Sequence, residues 1–169
     1  MLSADGETAK QIAERMLEQT GNALLSNDFD AFAQLFCVPH TIETPDRKTT
    51  LKPRSALKEV FDRVVQDYAE HNVTALVRIN EHACFHGPFK IEAMHVTHMM
   101  SGNWRIKDPI PSYGILEFID NRWQCTSSQY AVDDNTTVGL ALRRTASAAA
   151  EIEKPTHGIA VSVDEKRKN

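Results

Sequence analysis

The sequence lacks a strong excess of charge of either sign. Its 169 residues carry a formal net charge of -4, with 25% charged and 41% apolar residues. A nucleic-acid surface would need a basic excess, and a wholly disordered chain would have fewer apolar residues. The composition therefore predicts one globular domain that is not held to its partners by bulk electrostatics and binds no nucleic acid.

Cysteine is scarce, and long apolar runs are missing. The three cysteines, Cys37, Cys84 and Cys125, are an odd number without CxxC spacing, which indicates reduced thiols in a reducing compartment. The N-terminus has no apolar stretch of the length that a secretory signal needs, and nowhere do about 18 apolar residues follow one another. The sequence thus predicts a cytoplasmic protein that does not contact a membrane.

Familiar catalytic motifs are absent as well. There is no GxGxxG, GxxxxGK[ST] or GxSxG motif and no internal repeat, so nothing supports nucleotide binding or serine hydrolysis. His82, Cys84 and His86 share a strand face, and a hairpin about Gly87-Pro88 would bring His95 across from it. Their spacing fits no established zinc pattern, so the sequence predicts no metal and no cofactor.

Three stretches have the periodicity of amphipathic helices. The first runs from about Asp5 to Ser26. The second is short and follows the cap residues Ser26-Asn27-Asp28, and we expect its aromatic stripe to lie in the core. The third follows Pro53 and ends near Glu70-His71-Asn72. Its apolar residues recur at helical spacing: Leu57, Val60, Phe61, Val64, Val65 and Tyr68.

The remaining stretches predict strands. The first strand places His40, Ile42 and Thr44 on one face and turns at Pro45-Asp46. Two long strands then fold about Gly87-Pro88, with a bulge to explain their imperfect alternation. We expect residues 101–111, which include Trp104, to form a loop.

The stretch from Ser112 to Val132 predicts two antiparallel strands that turn at Asp120-Asn121. Ile115 and Ile119 lie on the opposite face from the main apolar pairs, so we expect helices to cover one face and a second subunit the other. A two-residue turn pairs apolar residues across the strands, Phe118 with Trp123 and Leu116 with Cys125.

The composition shifts after Val132. Residues 133–169 include an alanine-rich stretch from Val138 to Ile152, which predicts a weak helix, and an apolar patch from Ile159 to Val163. We interpret residues 1–132 as the domain and residues 133–169 as a C-terminal extension. The extension is a docking arm, an added strand or a mobile terminus.

This order of elements, together with LSNDFDAFAQLF, IETP, PRSALKEVF and YGILEFIDNRWQ, resembles the nuclear transport factor 2 superfamily over about residues 8–132. The superfamily includes the SnoaL-like cyclases and the ketosteroid isomerases. The resemblance implies an α+β cone, in which three N-terminal helices pack on a strongly curved antiparallel sheet and leave one open-ended pocket. It also implies a small apolar organic ligand and a homodimer formed through the outer sheet face.

The resemblance does not extend to the catalytic residues of the steroid isomerases. Their general-base aspartate matches Thr44, and their two oxyanion-binding positions match Thr20 and Gly114. A hydroxyl cannot replace the aspartate as a base. We therefore do not expect steroid-type isomerisation.

His40 is the best candidate for a catalytic acid or base, because it shares the strand face of Ile42 and Thr44 and its reference pKa lies near neutrality. A core histidine satisfied by its neighbours is the alternative. The predicted functions are a SnoaL-like enzyme that moves protons without a cofactor, as an isomerase, cyclase or dehydratase, or a non-catalytic binding or dimerisation module. The predicted pocket residues are Thr20, Thr44, Phe61, Val65, Tyr68, Trp104, Tyr113 and Leu116.

Overall fold

The computed structural model of the chain describes residue 1, residue 3 and residues 6–132. The weak helix and short strand predicted within residues 133–169 lie outside the described residues. Within residues 6–132 the structure contains three helices and one seven-stranded sheet, which agrees with the α+β prediction.

The helices are α1 (Ala9–Leu25), α2 (Phe29–Ala33) and α3 (Arg54–Glu70). Thr8 caps α1 by accepting a hydrogen bond from the Gln11 backbone N–H, and the Gln11 side chain accepts from the Thr8 N–H in return. Each helix therefore begins close to where the sequence predicts, although α1 starts later than Asp5.

The sheet is built from β1 to β7 and has the order β2-β1-β7-β6-β4-β3, with β5 paired to β4. All neighbouring strands are antiparallel except β1 and β7, which are parallel. The sequence predicts a fully antiparallel sheet, and the parallel pair departs from it. The pattern of apolar residues alone does not reveal that the last strand lies beside the first. The strand bounds are Phe36–Thr44, Arg47–Leu51, Ala75–Phe85, Lys90–Ser101, Trp104–Arg105, Ile110–Ile119 and Arg122–Tyr130.

The β6–β7 hairpin forms as predicted. Asp120 and Asn121 have φ values of 50° and 60°, as a two-residue hairpin turn requires. The predicted cross-strand pairs are present, Phe118 with Trp123 and Leu116 with Cys125.

The two long strands β3 and β4 carry the predicted bulge, at Glu81 between the register pairs of Asn80 and His82. The faces of β3 are the reverse of what hydrophobicity suggests. Val77 and Ile79 are 47% and 52% exposed, whereas Arg78 packs toward α1. The apolar face of β3 is therefore the outer one.

The predicted loop over residues 101–111 is shorter than expected. Trp104 and Arg105 form β5 against β4, and β6 already begins at Ile110. A proline at residue 111 is compatible with this strand because it faces Val96 at the end of the paired segment.

Two apolar clusters hold the helices on the inner sheet face. The first half of α1 packs on β4, β6 and β7 through fully buried residues such as Ile12 and Ile91. The second half of α1 joins α2 and α3 around Phe61. Each fully buried side chain of this size contributes about 1.5–3 kcal/mol through burial. Among the helices of the described residues, none has the length and hydrophobicity needed to cross a membrane.

Candidate functional site

A cavity of about 150 Å³ lies between the two clusters, enclosed by all three helices and the inner face of the sheet. Most of its wall is apolar. Thr20, His40, Phe61, Tyr68 and Leu116, five of the predicted site residues, line it.

The other predicted site residues lie elsewhere. Thr44 and Tyr113 border a second, shallower depression at the end of β1. Val65 is half-buried and packs against the α3 core, and Trp104 on β5 is 79% exposed. The structure thus does not bring these four side chains to the main cavity wall, and their role in a site stays a prediction.

A row of polar residues crosses the inner sheet face at one end of the cavity. Asn80 on β3 pairs with His95 on β4, His95 pairs with Ser112 on β6, and Ser112 pairs with Tyr130 on β7. Neighbouring strands lie about 4.8 Å apart, so the four side chains form one continuous band. The last three line the cavity.

Two bulges place this row on the inner face. The bulge at Glu81 keeps Asn80 inward while His82 turns outward. A second irregularity lies at Thr126, where Leu116 pairs with Cys125 but Ile115 pairs with Ser127. Because each bulge changes which residues share a face, the alternation in the sequence does not reveal the row.

Arg78 extends the polar region toward α1. Its Nη1 donates to the Thr20 hydroxyl at 2.8 Å and to the Leu17 carbonyl at 3.2 Å. Its Nε is buried and has no hydrogen-bond partner among the described residues. The same holds for the amide nitrogen of Asn80 and the hydroxyl of Ser112. Three buried polar groups, each able to donate, therefore lack partners at this end of the cavity.

His40 is 1% exposed and both of its ring nitrogens are engaged. Nδ1 lies 3.2 Å from the Cys125 carbonyl, and Nε2 lies 3.2 Å from the Ser128 hydroxyl. A carbonyl can only accept, so Nδ1 carries the proton and Nε2 accepts from Ser128. Burial lowers the pKa of His40 to about 4, which keeps the ring neutral at physiological pH.

His95 is also neutral, but its setting differs. Burial and the positive charge of Arg78 lower the pKa of His95 to about 4. Within residues 6–132, no hydrogen bond engages its ring nitrogens. Its lone pair is therefore available to a molecule in the cavity.

Tyr130 and Cys125 complete the wall beside His40. Burial raises the pKa of Tyr130 to about 12 and that of Cys125 to about 11, so the hydroxyl and the thiol stay protonated. Ser128 interacts with both of them. The tyrosine hydroxyl, the serine hydroxyl and the His40 ring thus form a connected set.

Sequence reasoning missed Arg78, His95, Ser112 and Tyr130. The alternation of Val77, Arg78, Ile79 and Asn80 is visible in the sequence, but it does not say which face is inward. For His95 the sequence suggests only a metal ligand, and for Ser112 only the start of a strand. The row is identified by the residues that pair across neighbouring strands, and this pairing is visible only in the folded structure.

Scans against protein-family profiles and curated sequences return no significant match. Solved structures do match. A nuclear transport factor 2-like protein of unknown function from Shewanella oneidensis MR-1 is 14% identical, with a TM-score of 0.54, over 73% of this chain and 98% of that one.

Two further structures align over a similar part of the chain. A domain of unknown function with a cystatin-like fold from Nostoc punctiforme is 16% identical, with a TM-score of 0.56, over 73% of this chain and 76% of that one. A candidate scytalone dehydratase from Novosphingobium aromaticivorans is 14% identical, with a TM-score of 0.51, over 72% of this chain and 81% of that one. Together with the helix order and the curved sheet, these matches show that the chain has a nuclear transport factor 2-like fold.

Proposed function

We propose that the protein binds a small organic molecule in the main cavity and moves protons on it, as an isomerase, cyclase or dehydratase of the SnoaL-like type does, without a cofactor. The observation that carries this proposal is the polar row Asn80, His95, Ser112 and Tyr130, which borders a mostly apolar cavity. A ligand with an apolar body and a reactive polar group would match both the apolar wall and the polar row.

The apolar part of the cavity suits a ring-sized ligand body. A dry cavity of about 150 Å³ in another protein binds benzene, and the cavity here is of the same size. Phe61 and Leu116 are buried side chains that would contact such a ring. We expect ligands with one ring, or two small ones, and not an extended steroid.

The end of the cavity at the polar row suits an oxygen atom of the ligand. A buried donor without a partner costs about 1–3 kcal/mol, so the Arg78 Nε and the Ser112 hydroxyl, whose residues line the cavity, favour an occupant that accepts their hydrogen bonds. Arg78 also brings a positive charge, and no described carboxylate forms an ion pair with it. A carbonyl or carboxylate oxygen held by Arg78 and Ser112 meets both requirements.

His95 is the residue that we propose as the base for a carbon acid held there. It lies in the row between Asn80 and Ser112, and its neutral ring can accept the proton from the carbon next to a ligand carbonyl. The electron pair of the broken C–H bond moves to the carbonyl oxygen, where the charge of Arg78 stabilises the enolate. Return of the proton from His95 to another carbon of the conjugated enolate gives the isomerase outcome. In the dehydratase outcome the enolate electrons form a C=C bond as the C–O bond of the adjacent carbon breaks, and the departing hydroxide takes the proton from His95 and leaves as water.

His40 remains a candidate for acid or base chemistry, although it does not meet the cavity as directly. Its Nε2 accepts from Ser128, so a proton would reach it through that hydroxyl. Ser128 in turn interacts with Tyr130, which lines the cavity. We propose that this set supplies or receives the second proton of a reaction at His95.

Acetophenone tests the proposal because it combines one ring, one carbonyl oxygen and an exchangeable methyl group. In deuterated water, the wild-type protein should exchange the methyl protons faster than buffer does, as followed by proton NMR. His95→Gln should abolish the acceleration while keeping the affinity for acetophenone within about threefold. Equal exchange rates with and without the wild-type protein, despite saturable binding, would overturn the catalytic part of the proposal.

The alternative function is a non-catalytic binding and dimerisation module, which the exposed outer sheet face favours. Val77, Ile79 and Met94 on this face are 47%, 52% and 45% exposed. Such an apolar sheet face is unusual for a monomer. We propose that a second copy of the chain covers it.

Light scattering during size-exclusion chromatography tests the dimer. The wild-type protein should elute at twice its monomer mass, and Ile79→Asp should elute as a folded monomer. Thr50→Asp on β2, at the other end of the strand order, is the matched control and should leave the mass unchanged. A wild-type monomer at high micromolar concentration would contradict the dimer.

A further inference from the structure

The β3–β4 hairpin carries three metal-binding side chains on the outer sheet face, away from the cavity. The Cys84 Sγ lies 3.4 Å from Nε2 of His86, and the same nitrogen lies 3.1 Å from a carboxylate oxygen of Glu92. The three donor atoms all lie within 4.8 Å of one another. We propose that Cys84, His86 and Glu92 form a binding site for a divalent transition metal ion, Zn²⁺ by preference.

The donor spacing fits a tetrahedral ion. With Zn–N and Zn–O distances of about 2.0–2.1 Å and a Zn–S distance of about 2.3 Å, tetrahedral donor atoms lie roughly 3.3–3.6 Å apart. The observed separations around His86 Nε2 are close to this range. A metal ion would bind at the centre of the three atoms with only small side-chain adjustments.

Hydrogen bonds alone do not satisfy all three side chains. One N–H of His86 faces both a sulfur and a carboxylate oxygen, and it can point at only one of them. A metal ion accepts electron pairs from all three groups at once. A thiolate, an imidazole and a carboxylate are also a donor set that Zn²⁺ accepts, and the two negative charges balance its charge.

The hairpin holds the three residues in place. Cys84 and Glu92 are direct register partners across β3 and β4. The backbone N–H of His86 donates to the Lys90 carbonyl at 2.8 Å, which fixes the turn end. Tyr113 on β6 interacts with the Glu92 carboxylate and orients it, as groups behind metal ligands commonly do.

The spacing of these three residues in the sequence does not indicate the site. Alternation in the sequence places His95 across from His82, Cys84 and His86, but His95 lies on the inner face. Glu92 takes the place across from Cys84 because the hairpin turn pairs Phe85 with Ile91, one residue later than a two-residue turn at Gly87-Pro88 would give. Solvent completes the fourth ligand position, since His86 is exposed and Glu92 is half-exposed. Binding converts the Cys84 thiol to a thiolate and releases its proton to solvent.

Cobalt substitution tests the site in the full chain, purified without an affinity tag and freed of metal with a chelator. Addition of Co²⁺ should give a thiolate-to-cobalt charge-transfer band that saturates at one equivalent, and one equivalent of Zn²⁺ should remove it. Cys84→Ser should lose the band, whereas Cys37→Ser, which changes another partly exposed thiol, should keep it.

A second readout covers the case in which Cys84→Ser fails to fold. Zn²⁺ should raise the melting temperature of the wild-type protein by a few degrees. The same addition should leave the nearly isosteric Glu92→Gln variant unchanged or weakly shifted. Absence of the cobalt band in the wild type, its persistence in Cys84→Ser, or an equal Zn²⁺ shift in Glu92→Gln would each overturn the proposal.

Discussion

His40 and Ser128 face each other across the parallel strands β1 and β7, with Nε2 of the histidine 3.2 Å from the serine hydroxyl. The other ring nitrogen of His40 lies against the Cys125 carbonyl. His40 is therefore a neutral side chain with a hydrogen bond at each ring nitrogen, and it lies where the two strands meet.

Acid should destabilise the fold through His40. Burial lowers the pKa of His40 from 6.5 to about 4. Between those two values the unfolded chain binds a proton that the folded chain does not, so the free energy of unfolding falls as the pH decreases. For His40 the full effect is about 3 kcal/mol.

Urea denaturation at pH values from about 7 down to about 4 measures this change in the free energy of unfolding. His40→Gln loses two hydrogen bonds and starts less stable, but its free energy of unfolding should fall less steeply over that window than the wild type's. His95 contributes a slope in the same direction, because its pKa is also lowered to about 4. Parallel pH curves for the wild type and His40→Gln would show that His40 is not held neutral.

Ser128→Ala should cost about 1–3 kcal/mol, because it leaves a buried ring nitrogen without a donor. Ser127→Ala is a suitable control, since Ser127 precedes it on β7 and is less buried. Chemical denaturation of both variants near pH of about 7 gives the comparison. Equal losses of stability would mean that the contact with His40 contributes little.

The ion pair between Asp67 and Lys107 should tie the loop before β6 to helix α3. Both oxygens of Asp67 lie within hydrogen-bonding distance of Lys107 Nζ, at 2.9 and 3.1 Å, and the Asp67 side chain is 6% exposed. Lys107→Met removes the amine and leaves a buried carboxylate whose other neighbour is the His71 ring, with Nδ1 3.2 Å from a carboxylate oxygen. We expect a loss of about 2–4 kcal/mol.

A double-mutant cycle on the free energy of unfolding tests this assignment. Adding Asp67→Asn to Lys107→Met removes the uncompensated charge and should restore part of the lost stability. Strictly additive losses would show that the two side chains do not interact energetically.

The hairpin turn depends on the left-handed conformation of Asn121, whose φ is 60°. Asn121→Val should cost about 1–2 kcal/mol, because a β-branched side chain strains this conformation. Asn121→Gly should change the stability by less than about 0.5 kcal/mol. Asn103→Val, in the turn between β4 and β5 without a positive φ, is the control and should be nearly neutral. Thermal denaturation gives the comparison, and an equal loss in both valine variants would contradict the role of the turn.

The base that we propose should show its lowered pKa in kinetics. If His95 is the base, acetophenone exchange should stay constant as the pH falls from about 7 and decline only near pH of about 4, because the neutral ring persists until then. A decline centred near 6.5 would indicate a histidine with an ordinary pKa. That result would exclude His95 in the environment described.

Local patterns were enough to predict the helices and the final hairpin. Helix α3 follows from apolar spacing after Pro53, and the turn at Asp120-Asn121 follows from residues that tolerate a positive φ. These features depend on neighbours in sequence.

The inner wall of the cavity could not be predicted in this way. The outer face of β3 carries Val77 and Ile79, so hydrophobicity points to the wrong side, and Arg78 faces the helices. A bulge then decides that His95 faces inward together with Asn80. Register and bulges depend on contacts between distant strands, and a single sequence does not display them.

In the binding mode that we propose, the cavity holds a small ligand with its oxygen at Arg78 and Ser112. A crystal structure of the protein grown with acetophenone tests it most directly. The ring should lie beside Phe61 and Leu116, with the carbonyl oxygen about 3 Å from Arg78 Nε or the Ser112 hydroxyl. A cavity closed by the protein's own side chains, or a ligand whose oxygen points away from these donors, would contradict the account.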